Sequence, residues 1–174
     1  MGKKTKIAAA QLTPVFLNKD KTVEKACKAI LDAGKQSVEL IVFPESFISG
    51  YPDWLWLIPP HKSIQLNELY VKLVKNAVSI PDDTTIRLCN AAKKAKVNVV
   101  IGMNETNSES SNTSLYNTLL FIDNNGDTLG KHRKLIRPIV KELFMPKVMV
   151  GHLNLMTHPR GKSVDSFVGR TSCH

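Results

Sequence analysis

The sequence is sparing in cysteine, glycine and proline and has no long apolar run, and each shortage excludes a class of protein. Three cysteines in 174 residues, none in C-x-x-C spacing, predict neither a disulfide framework nor a metal site. Nine glycines and nine prolines exclude a low-complexity chain. No apolar run approaches the roughly 20 residues of a membrane span, and the start MGKKTKIAAAQL lacks a signal peptide's longer apolar region. We therefore expect a cytoplasmic protein with reduced thiols and no membrane association.

The chain is basic, with 24 Lys and Arg against 15 Asp and Glu, a formal net charge of +9. Clustered cations bind nucleic acid by releasing counterions from its phosphates. Here the lysines are spread along predicted helices, and residues 137–174 alone carry six Lys/Arg against two acids. Solvated helix faces explain this distribution, so no nucleic-acid partner is predicted.

The hydrophobic pattern alternates between strands and helices. Hydrophobic residues make up 43% of the chain, enough for the core of one domain. The continuous run VELIVFPE at 38–45 predicts a strand buried on both faces, and the Asn-Gly step within 124–127 predicts a hairpin. Further strands are predicted at 4–12, 98–105 and 115–123, helices at 18–36, 62–78 and 81–96, and loops at 46–60 and 107–114. This order predicts an α/β layered domain.

Glu45 is a candidate catalytic residue because it ends a predicted buried strand directly after Pro44. The following loop, SFISGYPDWLWLIPP, carries aromatic residues that we expect to wall the carboxylate, and desolvation there would favour its protonated form. Such a carboxyl group suits a general base. From spacing alone, a strand-end glutamate that caps a helix or meets an arginine remains the alternative.

The segment GKHRKL places four potential cations at the end of a predicted strand. Because side chains alternate along a strand, Lys131 and Arg133 share one face, while His132 and Lys134 share the other. A lysine that points into a closed pocket stabilises negative charge on a tetrahedral intermediate. An exposed basic strand end is the alternative.

Three further residues are weaker candidates. Glu105 ends the predicted strand NVVIGMNE, and this position by itself predicts no function. Trp54 and Trp56, interleaved with leucines, are placed to wall a small-substrate pocket, although plain core packing explains them as well.

Two segments together strongly resemble the nitrilase branch of the carbon-nitrogen hydrolase superfamily. They are VFPESFISGYPDWLW at 42–56 and GKHRKL at 130–135, with LYNTLLFID between them in the family's order. The resemblance covers residues 4 to about 135. It implies an incomplete α-β-β-α sandwich, with residues 1–136 as the amino-terminal part of the domain.

The resemblance also implies a Glu-Lys-Cys catalytic set with no metal or organic cofactor. Glu45 matches the family's general base, and Lys134 matches the lysine that steadies the tetrahedral intermediate. In nitrilases a cysteine attacks the nitrile carbon, ammonia leaves, and hydrolysis of the resulting thioester releases a carboxylic acid.

The resemblance further assigns a substrate pocket and partners. Glu105 resembles a family position near the pocket, and the GYPDWLW loop, with Tyr51, Trp54 and Trp56, resembles the segment that shapes access in nitrilases. The implied partners are a small-molecule nitrile or amide substrate and further copies of the chain in a homo-oligomer.

The family's later motifs, aromatic-A-K-G-D-G and I-C-x-E among them, do not occur in residues 137–174. When the codons of this tail are read in a frame shifted by one base, three pairs that begin with methionine fix Ala, Gly and Asp at family positions. The pair formed by Phe167 and Val168 then permits only Cys or Arg, where the nucleophile is expected. We therefore predict a frame change between Leu135 and Pro138, which would make 137–174 an out-of-frame, poorly structured tail.

The missing motif leaves several interpretations open. Cys173 and Glu142 stand near the expected positions of the nucleophile and the second glutamate, but the terminal context RTSCH lacks the strand and turn that present a nucleophile. The chain is predicted to be a truncated, inactive nitrilase. The alternatives are a catalytically dead, interaction-only protein built on the half-fold and an amidase-like relative.

Overall fold

The computed structural model describes residues 4–107 and 111–134. The strands are β1 (Ile7–Ala9), β2 (Leu40–Val42), β3 (Val78–Ser79), β4 (Asn98–Asn107), β5 (Ser111–Ile122) and β6 (Thr128–Arg133), and the helices are α1 (Lys19–Lys35), α2 (Trp54–Leu57), α3 (Ser63–Lys75) and α4 (Asp83–Ala95). The predicted tail at 137–174, including Glu142 and Cys173, lies outside the described residues. No helix among the described residues is long and apolar enough to cross a membrane.

The strands form one mixed sheet in the order β1-β2-β4-β5-β6, with β3 paired to the far end of β4. β1, β2 and β4 run parallel, whereas β4, β5 and β6 are antiparallel neighbours. Parallel strands need long crossover connections, which the helices provide, while the predicted turn at 124–127 joins β5 and β6 directly. The predicted α/β class is confirmed.

Helices α1 and α4 begin at side-chain caps. The Asn18 side chain accepts a hydrogen bond from the Lys21 backbone N–H at the start of α1, and Asp82 and Thr85 form a reciprocal capping box at the start of α4. Both helices agree with the predicted spans within a residue or two.

Some predicted boundaries are wrong. The regular part of β2 covers only three residues of the predicted strand 38–45, and the predicted loop 46–60 contains the short helix α2. β5 begins at Ser111 inside the predicted polar loop, because backbone pairing with β4 continues to Asn107 regardless of side-chain polarity.

The main core lies between one face of the sheet and helices α1 and α4. Alternate residues of β4, namely Val99, Ile101 and Met103, are at most 1% exposed and pack with Ile30 of α1 and Leu88 of α4. A second, smaller cluster is centred on α2 and α3 and includes Trp54, Leu66, Leu73, Ala77 and Leu115. Each fully buried aliphatic side chain contributes about 1.5–3 kcal/mol.

The other face of the sheet is apolar but incompletely covered by the described residues. Val42, Val100, Leu119 and Phe121 are only half-buried and belong to neither core cluster. Ile7 on β1 is 53% exposed. An uncovered apolar sheet face favours association or aggregation.

Adjacent leucines on β5 provide a direct test of the two faces. We expect Leu120→Thr to destabilise the fold by about 2–5 kcal/mol, because Leu120 is 0% exposed in the core. We expect Leu119→Thr to change stability by less than about 1 kcal/mol and to reduce aggregation, because Leu119 is half-buried on the open face. Urea unfolding and light scattering of the full chain measure both effects. Equal loss of stability in the two variants, or a wild-type chain that stays monodisperse in light scattering, would contradict this account.

Candidate active site

Glu45 lies in a tight loop held against the middle of the sheet. Just before it, the Phe43 backbone N–H donates to the Val100 carbonyl (2.8 Å), and just after it the Ile48 N–H donates to the Gly102 carbonyl (3.0 Å). Phe43 and Phe47 flank Glu45 in sequence, are 3% and 1% exposed, and contact each other with ring centroids 5.2 Å apart. Glu45 is therefore anchored on both sides by the core.

The loop approaches β4 closely because residue 102 is glycine. A Cβ at Gly102 would lie 2.3 Å from the Pro44 carbonyl oxygen and 2.7 Å from the Glu45 Cα, far inside van der Waals contact. Two residues further along the same face, the buried Asn104 donates through Nδ2 to the Gly50 carbonyl at 2.9 Å. Sequence reasoning missed both residues. The only signal was an isolated glycine within a strand pattern, which is typical of close backbone approach.

Lys134 directly follows the last residue of β6, and its side chain contacts the side chain of Glu45. Its backbone N–H donates to the Asn117 carbonyl (2.9 Å), and its Nζ lies 2.8 Å from Glu45 Oε2. The two residues are 89 positions apart in the chain. The structure therefore brings together the two residues predicted as catalytic.

The expectation that aromatic residues wall Glu45 is wrong for the described part of the chain. The side chains of Glu45 and Lys134 are 42% and 45% exposed. An exposed ion pair contributes only about 0–1 kcal/mol, because water screens it and both side chains lose freedom. The mutual attraction of the pair is thus too weak to hold its geometry, and the backbone anchors do so.

The predicted pocket residues of the loop separate in the structure. Trp54 is 6% exposed and packs in the second core cluster, which agrees with the core-packing alternative. Trp56 is 57% exposed, and Tyr51 is half-buried next to the buried Gly50. Their role toward a substrate stays a prediction.

Glu105 is 1% exposed and carries the most enclosed ion network of the described residues. Oε1 accepts from Lys131 Nζ (2.5 Å) and Arg133 Nη2 (2.8 Å), while Oε2 accepts from Arg133 Nε (2.9 Å) and Thr118 Oγ1 (2.7 Å). The Arg133 guanidinium also lies 4.4 Å from the centre of the Tyr116 ring. Lys131 and Arg133 share one face of β6 as predicted, and these contacts lie across the sheet from Lys134.

The hydrogen bonds decide the protonation state of Glu105. Burial raises the pKa of its carboxyl group, but the hydrogen bonds from Arg133, Lys131 and Thr118 together outweigh burial and hold the pKa below its usual 4.5. Glu105 is therefore charged at neutral pH, and removing it would leave two cations without their shared partner.

The described cysteines do not join the pair. Cys27 on α1 contacts the Arg87 carbonyl and Cys89 on α4 contacts Thr128, and burial raises the pKa of the Cys27 thiol, which makes it a poor nucleophile. Among residues 4–107 and 111–134, no group of His, Cys, Asp and Glu is arranged to hold a metal ion.

Comparison with known proteins now gives the family. The model of the carbon-nitrogen hydrolase family matches residues 6–169. The chain belongs to the carbon-nitrogen hydrolase family. The match extends past residue 136, where the recognisable motifs end, into the tail outside the described residues. The predicted frame change stays a prediction.

Several curated relatives of this carbon-nitrogen hydrolase are nitrilases. It is 39% identical over 132 residues to the nitrilase of Bacillus sp. (strain OxB-1). This alignment covers 76% of this chain and 37% of that protein. It is 32% identical over 176 residues to the arylacetonitrilase of Aspergillus niger, covering 98% of this chain and 47% of that protein. The chain thus spans less than half the length of these relatives.

Solved structures confirm the fold. An amidase from Nesterenkonia sp. AN1 superposes with a TM-score of 0.63 at 17% identity, over 92% of this chain and 55% of that one. A branch 10 member of the nitrilase superfamily from Saccharomyces cerevisiae also gives 0.63, at 23% identity, over 84% of this chain and 49% of that one. The superposed residues cover about half of each of these two structures.

The close approach at Gly102 predicts that Gly102→Ala separates Glu45 from Lys134. We expect a stability loss of about 1–3 kcal/mol from overpacking. We also expect loss of the amide crosslink that a carbodiimide forms between the two side chains, read by mass spectrometry. Ile101→Val, on the core face of the same strand, is the control and should keep the crosslink. A crosslink of wild-type yield in Gly102→Ala would show that the loop tolerates the added methyl group.

The depressed pKa of Glu105 predicts a pH dependence of stability. A carboxyl group whose pKa is lowered on folding stabilises fully above its unfolded value, here 4.5, and this contribution is lost as pH falls through the folded pKa. We expect Glu105→Gln to lose about 3–5 kcal/mol near neutral pH, because two cations lose a buried partner. The variant should also lose part of the wild-type decline below pH 4.5. Urea unfolding followed by tryptophan fluorescence measures this, with the exposed Glu24→Gln as control. Parallel pH curves for wild type and Glu105→Gln would refute it.

Proposed function

We propose that the chain is the amino-terminal part of a nitrilase-type hydrolase that converts a nitrile to a carboxylic acid and ammonia. The observation that supports this most is the 2.8 Å contact between Glu45 Oε2 and Lys134 Nζ, which joins two family motifs 89 residues apart. A carboxylate beside an ammonium group, reachable by solvent, is a general base next to a stabiliser of negative charge.

In this mechanism Glu45 takes the proton of a cysteine thiol supplied from outside the described residues. The thiolate attacks the nitrile carbon, and Lys134 stabilises the charge that develops on the tetrahedral intermediates. Glu45 then activates water, ammonia leaves, and a second water hydrolyses the thioester. Two waters are consumed for each nitrile, and no cofactor takes part.

We further propose that this chain alone is an inactive, truncated form. The support for this proposal is that residues 137–174 lack the family's I-C-x-E motif. A cytoplasmic location, a role in nitrogen compound metabolism and a homo-oligomeric active form belong to the same proposal.

One observation favours a second candidate, an interaction-only protein. The half-buried apolar face formed by Val42, Val100, Leu119 and Phe121 is available for association without any chemistry. Amide hydrolysis is the enzyme alternative, since the superposed Nesterenkonia protein is an amidase.

The deciding experiment combines DNA sequence with turnover. We expect the locus beyond codon 134 to contain an open shifted frame that encodes the I-C-x-E motif. Ammonia release from phenylacetonitrile and from an aliphatic nitrile should be absent with the 174-residue chain and present with the chain completed in that frame. In the completed chain, Glu45→Gln and Lys134→Met should each reduce turnover by about 10²-fold or more, while Glu24→Gln should not.

Each other outcome selects another interpretation. Release of ammonia from amides alone would favour the amidase-like relative. Turnover by the 174-residue chain that depends on Cys173 would make the tail native and catalytic. Self-association without turnover in either chain would favour the interaction-only protein.

A further inference from the structure

The proposed mechanism gives no role to Glu105. Its carboxylate is buried in β4, and both of its oxygens are occupied by Lys131, Arg133 and Thr118. None of these contacts is to Glu45 or Lys134. Yet Lys131 and Arg133 belong to the strand that ends immediately before Lys134.

Strand β6 needs a contact that holds it in place, because it is an edge strand of the sheet that the described residues form. It pairs only with β5 among the described strands, has six residues, and has a register irregularity at its start. Strand ends at sheet edges fray, since hydrogen bonds form on one side only. Lys134 lies just beyond the last residue of β6, where fraying would move its amine most.

The contacts of Glu105 span two strands. From β4 the carboxylate reaches past Thr118 of β5 to the two cations of β6, and Arg133 also packs over Tyr116 of β5. Because side chains alternate, holding Lys131 and Arg133 on one face fixes Lys134 on the other. A slip of β6 by one residue would turn both cations away from a buried carboxylate, so the network also fixes the register.

From this arrangement we infer that Glu105 is a positioning residue, which holds Lys131 and Arg133 on one face of β6 so that Lys134 stays beside Glu45 on the other. The inference deepens the proposed function, on which its catalytic meaning rests. It assigns Glu105 an action through strand β6, while its predicted place in the substrate pocket stays a prediction.

The test measures the Glu45–Lys134 contact directly, in the full 174-residue chain, without requiring turnover. Carbodiimide joins a carboxylate to an amine in contact, and mass spectrometry quantifies the 45–134 crosslink relative to folded protein. We expect Glu105→Gln to lower this yield by about tenfold, because a misplacement of about 1 Å can slow a proximity-dependent reaction by up to about 10²-fold. Lys131→Met leaves Arg133 on the carboxylate and should give an intermediate loss.

Two controls separate positioning from general stability. Ile30→Ala removes a side chain that is 0% exposed in α1, and it should destabilise the fold while the crosslink yield per folded molecule stays within about twofold of wild type. Glu105→Asp keeps the charge and should restore part of the yield lost in Glu105→Gln.

Wild-type crosslink yield in folded Glu105→Gln would overturn the inference, as would an equal loss in Ile30→Ala. If Glu105→Gln does not unfold cooperatively, Lys131→Met decides, and an unchanged yield there also overturns it. Failure of the proposed function gives a different pattern: the crosslink changes as expected, while Lys134→Met leaves the turnover of the completed chain unchanged.

Discussion

Both members of the Glu45–Lys134 pair depend on strand β4. One face of β4 holds the loop that carries Glu45, and the other face holds the strand that leads to Lys134. On one face Gly102 admits the backbone of the Glu45 loop and Asn104 binds the end of that loop. On the other face Glu105 binds the two cations of β6. Since side chains alternate along a strand, three residues within four positions reach two separate segments of the chain. The geometry of the pair therefore follows from the register of a single strand.

This division of labour suits a reactive pair. An exposed ion pair contributes little to stability, and in the proposed function Glu45 and Lys134 are the groups assigned to the reaction. The buried charge of Glu105, in contrast, is strongly held and unavailable to solvent. In the proposed function, the groups that fix the geometry are therefore separate from the groups that react.

The open apolar face of the sheet adds a second constraint. The helix-covered face of the sheet buries the main core. On the other face, the described residues leave four apolar side chains only half-buried, namely Val42, Val100, Leu119 and Phe121. The pair lies on this open side, where Glu45 is beside the middle of β4 and Lys134 follows the end of β6. Whatever covers the face also decides how far Glu45 is desolvated, which links the completeness of the domain to the chemistry of the site.

Much of this was already determined by the amino-acid sequence: the α/β order, the spans of α1 and α4, the hairpin turn, and Glu45 and Lys134 as candidate catalytic residues in two family motifs. These features depend on local periodicity, turn chemistry and short motifs. Only the tertiary structure decided that Glu45 is exposed, that Trp54 is core, that Gly102 forms the close approach, and that Glu105 binds β6 rather than Lys134. Those outcomes depend on which strands become neighbours and in what register, and sequence spacing cannot specify contacts between residues so far apart in the chain.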